Sequence, residues 1–317
     1  MNNKHIPALV ITYHPVPEFF ERIPLLLEQF DSLLIVDNAS TGETHLLLQQ
    51  ASAQFEAGRL SLIINPENHG IAYGLNQGFR WALEKGYEYL VVLDQDSQPA
   101  SNLKLELLRV YEAQSHFQQQ IAIVAPRVED GITGEPVPLL RWKGSILRKE
   151  LPHVEMIENI ALVITSGSLN NLSTYKHLGP FREDFFIDYV DTEYCLRAQQ
   201  FGYKLVVAWN AILYHRLGNQ QKKQIGGLIL RPTFHSPIRW YYIHRNRMAM
   251  YGMYALRFPF WMIYDFFISV YAFLKMLIYE DMKWQKIKAV ILGIADGLLC
   301  RMGPISPSRQ MQIELGE

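Results

Sequence analysis

Apolar residues in the first half of the chain come in short bursts, separated by longer stretches where they recur every third or fourth position. The bursts are ALVITY (8–13), LLIVDN (33–38), LSLIIN (60–65), YLVVLD (89–94) and IAIVAP (121–126). Each is short for a helix and rich in aliphatic and β-branched residues, so each predicts a buried strand. The segments 17–30, 42–57, 71–85 and 101–118 predict helices. Alternation at this spacing builds right-handed βαβ units on a mainly parallel sheet, an α/β fold. Ligands of such sheets lie beyond the carboxyl ends of the strands. The residues there are Thr12, Tyr13, Asp37, Asn38, Asn65 to Asn68, and Asp94 to Asp96. After residue 126 the pattern loosens. Residues 127–160 read as irregular strands or loops, and ALVITSGSL (161–169) as a strand running into a turn of small residues. A helix is predicted over 190–201, and KLVVAWNAILYH (204–215) reads as extended.

Four polar constellations interrupt this pattern. In YLVVLDQDSQPA (89–100), Asp94 and Asp96 close the fourth strand two residues apart. On an extended backbone both would point the same way, and their repulsion calls for a cation. A divalent metal bridging the pair to a diphosphate would relieve it and make a nucleotide-sugar handle. In NPENHGIAYGLNQGFRWAL (65–83), helix–sheet packing accounts for Gly74 and Gly78. Asn68 and Gly70 precede the helix, where free N–H groups and permissive dihedrals suit a ligand. In FFIDYVDTEYCLRAQQFGY (185–203), Asp188, Asp191 and Glu193 crowd a helix start whose core face reads as Tyr194, Leu196 and Phe201. The helix dipole favours acids there, and one of them suits a general base. His215 ends a long extended run, as the acid pair does, and offers an imidazole ligand to a metal otherwise held by oxygen.

Composition and charge narrow the class. Over 317 residues, 49% are hydrophobic and 19% charged, which fits a globular protein. Cys195 and Cys300 make no disulfide framework or metal pair, and MNNKHIPALVITYHP shows no secretory signal. Net charge is −1, but residues 1–200 hold 15 basic against 25 acidic residues, and residues 201–317 hold 15 against 6. The basic, aromatic C-terminal third suits an anionic lipid surface or a diphosphate better than nucleic acid. Within it, FPFWMIYDFFISVYAFLKMLIY (258–279) is long enough to span a bilayer. Asp265 and Lys275 argue against simple spanning, at ~2.5–3.5 kcal/mol per central charge. Flanking Arg257, Trp261, Lys283, Trp284, Lys286 and Lys288 suit a helix lying in the interface. A buried helix of a second lobe or a homo-oligomer contact is the other reading. Arg245 and Arg247, just upstream, are candidates for an acceptor diphosphate or for plain salt bridges.

ALVITYHP, LLIVDNAS, NPENHGIAYGLNQG, VVLDQDS, TSGSL, FFIDYVDTEYCLRA and YHRLG, in that order over residues 8–218, resemble the inverting GT-A glycosyltransferases of family 2, rhamnosyltransferase-like branch. The resemblance implies a catalytic domain over 1–220, with a nucleotide-sugar half (1–126) and an acceptor half (127–220), and a helical region over 221–317. It implies that Thr12, Tyr13, Asp37 and Asn38 bind the nucleoside, and that Asn68 and Gly70 line the nucleotide and sugar. Asp96 and His215 would bind Mg2+ or Mn2+, with Asp94 on the ribose or metal side. Asp191 would be the general base. Val190 stands where relatives are often acidic, which raises a base-sharing role for Asp188. The implied reaction moves L-rhamnose from dTDP-L-rhamnose to a lipid-linked saccharide during surface-polysaccharide synthesis at the cytoplasmic face of a membrane. The alternatives are a UDP-hexose or UDP-galactofuranose transferase, and a non-catalytic nucleotide-sugar-binding scaffold. A nucleotidyltransferase would carry a Gly-rich basic loop after the first strand, which TYHPVPEF lacks.

Overall fold

The computed structural model describes residues 4–56, 58–113, 120–152, 154–215, 223–225, 228–230 and 234–315. The chain begins with β1 (Ala8–Thr12), α1 (Pro17–Gln29), β2 (Leu33–Asp37), α2 (Gly42–Ala53), β3 (Leu60–Ile64), α3 (Ile71–Glu84), β4 (Tyr89–Asp94), β5 (Gln98–Pro99) and α4 (Leu103–Ala113). Then come β6 (Ile121–Asp130), β7 (Leu139–Lys143), β8 (Ile146–Glu150), β9 (Met156–Ile157), β10 (Ile160–Leu162), β11 (Leu169–Asn171), α5 (Leu172–Leu178), α6 (Val190–Gln200) and β12 (Lys204–His215). A hairpin, β13 (Lys223–Ile225) and β14 (Leu228–Leu230), precedes α7 (Pro237–Tyr254), α8 (Pro259–Tyr279), α9 (Lys283–Leu298) and α10 (Pro307–Glu314).

The main sheet is ordered β3-β2-β1-β4-β11-β6-β12-β5, with β9 also on β12. Strands β3, β2, β1 and β4 are parallel, Val10 facing Ile35 on one side and Leu93 on the other. Alternation along these strands divides the core. Leu9, Ile11, Leu34, Val36, Leu90 and Val92 pack under α3 and α6, while Ala8, Val10, Leu33, Ile35, Val91 and Leu93 pack under α1 and α4. Gly74 and Gly78 let α3 lie close on β1: a methyl at Gly78 would overlap Leu9, and one at Gly74 would sit 3.1 Å from Ile11.

Three expectations need correcting. The strand expected over 161–169 is two strands: β10 pairs with β7, β11 inserts antiparallel between β4 and β6, and a turn with Gly167 at φ +77° parts them. The loose 127–160 stretch contains the β7–β8 hairpin. Phe201, expected in the core of α6, is exposed, while Tyr194 and Leu196 are buried. Residues 114–118 of the helix expected over 101–118, Ala57 of the second helix, and 216–218 of YHRLG lie outside the described residues. In the C-terminal region, Met250, Tyr254 and Trp261 belong to the same apolar cluster as Leu9 and Phe79, so α7 is built onto the catalytic core.

Candidate active site

Asp94 is the last residue of β4, and the chain turns there, the Ser97 amide donating to the Asp94 carbonyl (3.1 Å). The acid pair therefore converges through a turn and not through strand alternation as the sequence predicts. Convergence itself holds. Ligand-capable atoms of Asp94, Asp96 and His215 all lie within 4.8 Å of one another. His215 arrives at the end of β12, the strand beside β5, its Nδ1 3.7 Å from Asp96 Oδ1 and 2.8 Å from Ser97 Oγ. The hydrogen bond shared with the Ser97 hydroxyl orients the imidazole ring beside the two acids. Burial, with Asp96 adding repulsion, pushes the Asp94 carboxyl up to about 7. Two crowded carboxylates and an imidazole form a donor set suited to a hard divalent cation.

Residues that the sequence did not single out shape this turn. Gln95, between the two acids, clips the Tyr13 backbone, accepting from its N–H (2.7 Å) and donating to its carbonyl (3.2 Å). Arg22 of α1 donates to the carbonyls of Gln95 and Ser97. Ser166 accepts from the Asp94 amide (2.9 Å) and shares a hydrogen bond with Ser97 (2.7 Å). Its neighbour Thr165 faces Asp191, donating its N–H to Oδ2 (3.3 Å) and its hydroxyl to Oδ1 (3.2 Å). One turn thus touches both the metal-type cluster and the candidate base. Burial first, and then the Asp94 charge, push Asp191 up to about 6.

At the end of β2, Asp37 has no exposed surface. Its carboxylate accepts the Thr12 hydroxyl (2.8 Å), the Ser40 hydroxyl (2.6 Å) and the Ser40 amide (2.7 Å). In this state it holds the ends of β1 and β2 together, and Tyr13 is the residue that projects outward, half exposed. Asn38 donates to the Gly70 carbonyl (3.1 Å) and accepts from Asn65 (3.0 Å), while Asn68 Oδ1 accepts the Gly70 amide (2.9 Å). Gly70 adopts φ +85°, and any Cβ there would collide with the Phe186 carbonyl, which also accepts from the Ile71 amide (2.8 Å).

Asp191 lies in the first turn of α6, and a cavity of about 320 Å3 opens beside it, walled by Val128, Leu140, Ile164 and Tyr264 of α8. Asp188 does not share its position, because Arg239 grips that carboxylate from α7 (3.1 and 3.0 Å). Glu193 is buried against Arg197 and the Tyr254 hydroxyl, both at 2.8 Å. Arg245 and Arg247 are both buried and held by protein partners. Arg245 donates to the carbonyls of Asp184, Phe185 and Gly303, and Arg247 pairs with Asp265 (2.8 Å).

Comparison with known proteins fixes the class. The Glycosyl transferase family 2 model matches residues 9–177. A curated relative, dTDP-rhamnosyl transferase RfbF of Shigella flexneri, is 31% identical over 252 residues, covering 78% of this chain and 80% of that protein. The chain belongs to glycosyltransferase family 2. Solved structures agree on the GT-A fold at low identity. GalNAc-T7 with UDP, GalNAc and Mn2+ superposes with a TM-score of 0.60 at 12% identity over 98% of this chain, which spans about half that protein (54%). Mannosyltransferase PcManGT of Pyrobaculum calidifontis, in complex with GDP-Man and Mn2+, gives 0.53 at 15% identity, over 99% of this chain and 80% of that one. The protein is a glycosyltransferase whose mostly parallel GT-A sheet carries the acid pair on its carboxyl rim.

Proposed function

We propose that this glycosyltransferase moves L-rhamnose from dTDP-L-rhamnose to a saccharide acceptor carried on lipid, with inversion at C1. The observation that carries the reading is the Thr165–Ser166 turn, which ties the Asp191 carboxylate and the Asp94–Ser97 turn to one backbone. Its 31% identity to a dTDP-rhamnosyl transferase supports the choice of donor. Mg2+ or Mn2+ held by Asp94, Asp96 and His215 would neutralise the diphosphate as it leaves. Tyr13, Asn38 and Gly70 line the nucleoside and sugar side. Asp37 serves by fixing Thr12 and Ser40, and Asn68 by fixing Gly70. Asp191 takes the proton from the acceptor hydroxyl, whose oxygen bonds to C1 on the opposite face while the C1–phosphate oxygen bond breaks. The two Thr165 donors keep that carboxylate aimed. The apolar cavity beside Asp191 has Tyr264 of α8 in its wall, which supports an acceptor approaching from the α8 side.

α8 is long and apolar enough to cross a membrane, and most of its surface is exposed. Its exposed face carries Phe260, Phe267, Leu274 and Ile278, with Arg257 before the helix and Lys283 and Trp284 after it. We read this face as resting on an anionic bilayer at the cytoplasmic side, next to a lipid-linked acceptor. The aromatic and basic set is smaller than the sequence predicts. Trp261 is buried, Lys286 is buried against Glu280 (2.8 Å), and the Lys288 amine is buried too.

A donor panel tests the reading. dTDP-rhamnose and UDP-hexoses are titrated calorimetrically with Mn2+, then supplied for transfer to wild type and Asp191→Asn. The expected outcome is preference for dTDP-rhamnose, with Asp191→Asn binding nucleotide but losing transfer by about 100-fold or more. Preference for a UDP-hexose overturns the donor, and an active Asp191→Asn overturns the base.

A further inference from the structure

The segment leading into α6 is held in a conformation its residues do not choose. Phe186, Asp188 and Tyr189 have φ of 65°, 61° and 62°, three side-chain-bearing residues in the left-handed region within four positions. Such backbone persists only where its surroundings over-determine it. The restraint comes from α7. The fully buried Asn246 amide nitrogen donates to the carbonyls of Phe185 (3.0 Å), Ile187 (2.8 Å) and Asp188 (3.0 Å), and Arg239 holds the Asp188 carboxylate.

None of these bonds reaches Tyr189, the residue that precedes α6 and stands two before Asp191. Its hydroxyl donates to Asp265 Oδ1 (2.8 Å), on α8. Asp265 Oδ2 in turn accepts Arg247 Nε and the Tyr251 hydroxyl, each at 2.8 Å, and the Arg247 guanidinium lies 5.5 Å from the Tyr189 ring centroid. Asp265 is the only acid in a mostly apolar helix, and it is turned inward with both oxygens engaged. Among the described residues the Asp191 carboxylate is held by the two long Thr165 bonds, so its direction depends on where α6 begins.

We propose that Asp265 is a positioning residue for the general base, acting through Tyr189. The inference rests on the assignment of Asp191 as that base. The carboxylate fixes the phenol, the phenol fixes the left-handed residue that starts α6, and α6 carries Asp191 to the acceptor hydroxyl. A displacement of about 1 Å at such a group costs about 100-fold in rate. A link of this kind acts on turnover, not on donor capture, because the side-chain hydrogen bonds of Tyr189 and Asp265 go to one another, Arg247 and Tyr251 and to none of the donor-side residues.

Tyr189→Phe, Asp265→Asn and the double variant test it, with Asp191→Asn alongside. Initial rates are measured against donor concentration, with nucleotide binding followed calorimetrically as dTDP with Mn2+. Tyr189→Phe keeps the ring and removes one hydrogen bond, so it folds. The expected result is a kcat loss of about tenfold or more in each single variant, unchanged donor KM and dTDP affinity, and a double variant no worse than the poorer single. Wild-type kcat in Tyr189→Phe beside an inactive Asp191→Asn overturns the positioning role alone. Losses that appear in donor KM with kcat intact, or that multiply in the double variant, also overturn it. An active Asp191→Asn instead removes the premise.

Discussion

Replacing Phe267, Leu274 and Ile278 with Gln removes one stripe of the exposed α8 face without touching the core. The three are 65%, 51% and 63% exposed. Full burial of such a side chain gains ~1.5–3 kcal/mol, so the surface still open on each is worth about 1–1.5 kcal/mol on entering a bilayer interface. Together that is about 3–4 kcal/mol, a fall of about 100- to 1000-fold in partitioning. Gln is a fair helix former, so the cost to the fold is only a few tenths of a kcal/mol per site. The assay is co-flotation with phosphatidylcholine vesicles, with and without phosphatidylglycerol, at low and high salt. Wild type should float with the anionic vesicles and less so in salt, Arg257 and Lys283 contributing about 1 kcal/mol each. The triple variant should stay behind at unchanged thermal stability. Wild type that never floats, or a triple variant that floats equally well, refutes the reasoning. A triple variant that changes only its sedimentation would make the face a contact between copies.

Gly70→Ala should unfold or inactivate the enzyme, since the new methyl meets the Phe186 carbonyl and Gly70 sits at φ +85°. The expected cost is about 2 kcal/mol or more, read as a lower denaturant midpoint, and a wild-type midpoint would contradict the packing described. Cation binding should be linked to pH. Asp94 and Asp191 have folded values pushed up to about 7 and about 6, against about 4 in an unfolded chain. Without a cation, the stability these groups contribute is present below pH about 4 and is lost as pH rises through 6 to 7. Mn2+ should therefore raise the thermal midpoint more at pH 7.5 than at pH 5.5, and equal shifts at both would speak against cation binding at this cluster.

The sheet was legible because β1, β2 and β4 are buried on both faces and β3, at the edge, keeps their aliphatic composition. ALVITY, LLIVDN, LSLIIN and YLVVLD lie within a residue of β1 to β4. The acid pair was legible as a pair but not as geometry. Strand alternation brought Asp94 and Asp96 together on paper, whereas a turn closed by Ser97, Ser166 and Arg22 does so in the fold. Ser166 and Thr165 gave no individual signal, since small polar residues beside a glycine look the same in any turn. The inward orientation of Trp261, Lys286 and Lys288 was hidden for a different reason. Around α8 and α9 apolar residues occur on every face, and periodicity then cannot say which face is covered. Gln95, Tyr189 and Asn246 matter only through partners 58 or more positions away, at Tyr13, Asp265 and the 185–188 carbonyls.

These long-range links reach into the candidate site. Thr12, Asp37, Ser40, Asn38, Asn65 and Gly70 hydrogen-bond one another within the first 70 residues, with Gln95 clipping Tyr13 and the Phe186 carbonyl closing over Gly70. Asp191 draws its partners from further along the chain. Asp191 takes its charge environment from Asp94, its aim from Thr165, and the start of its helix from α7 and α8. A chain cut after β12 would lose Asn246 and Asp265, the groups that hold the strained entry to α6. The C-terminal helices are therefore tied to the segment that carries Asp191 and, through the Phe186 carbonyl, to Gly70 as well.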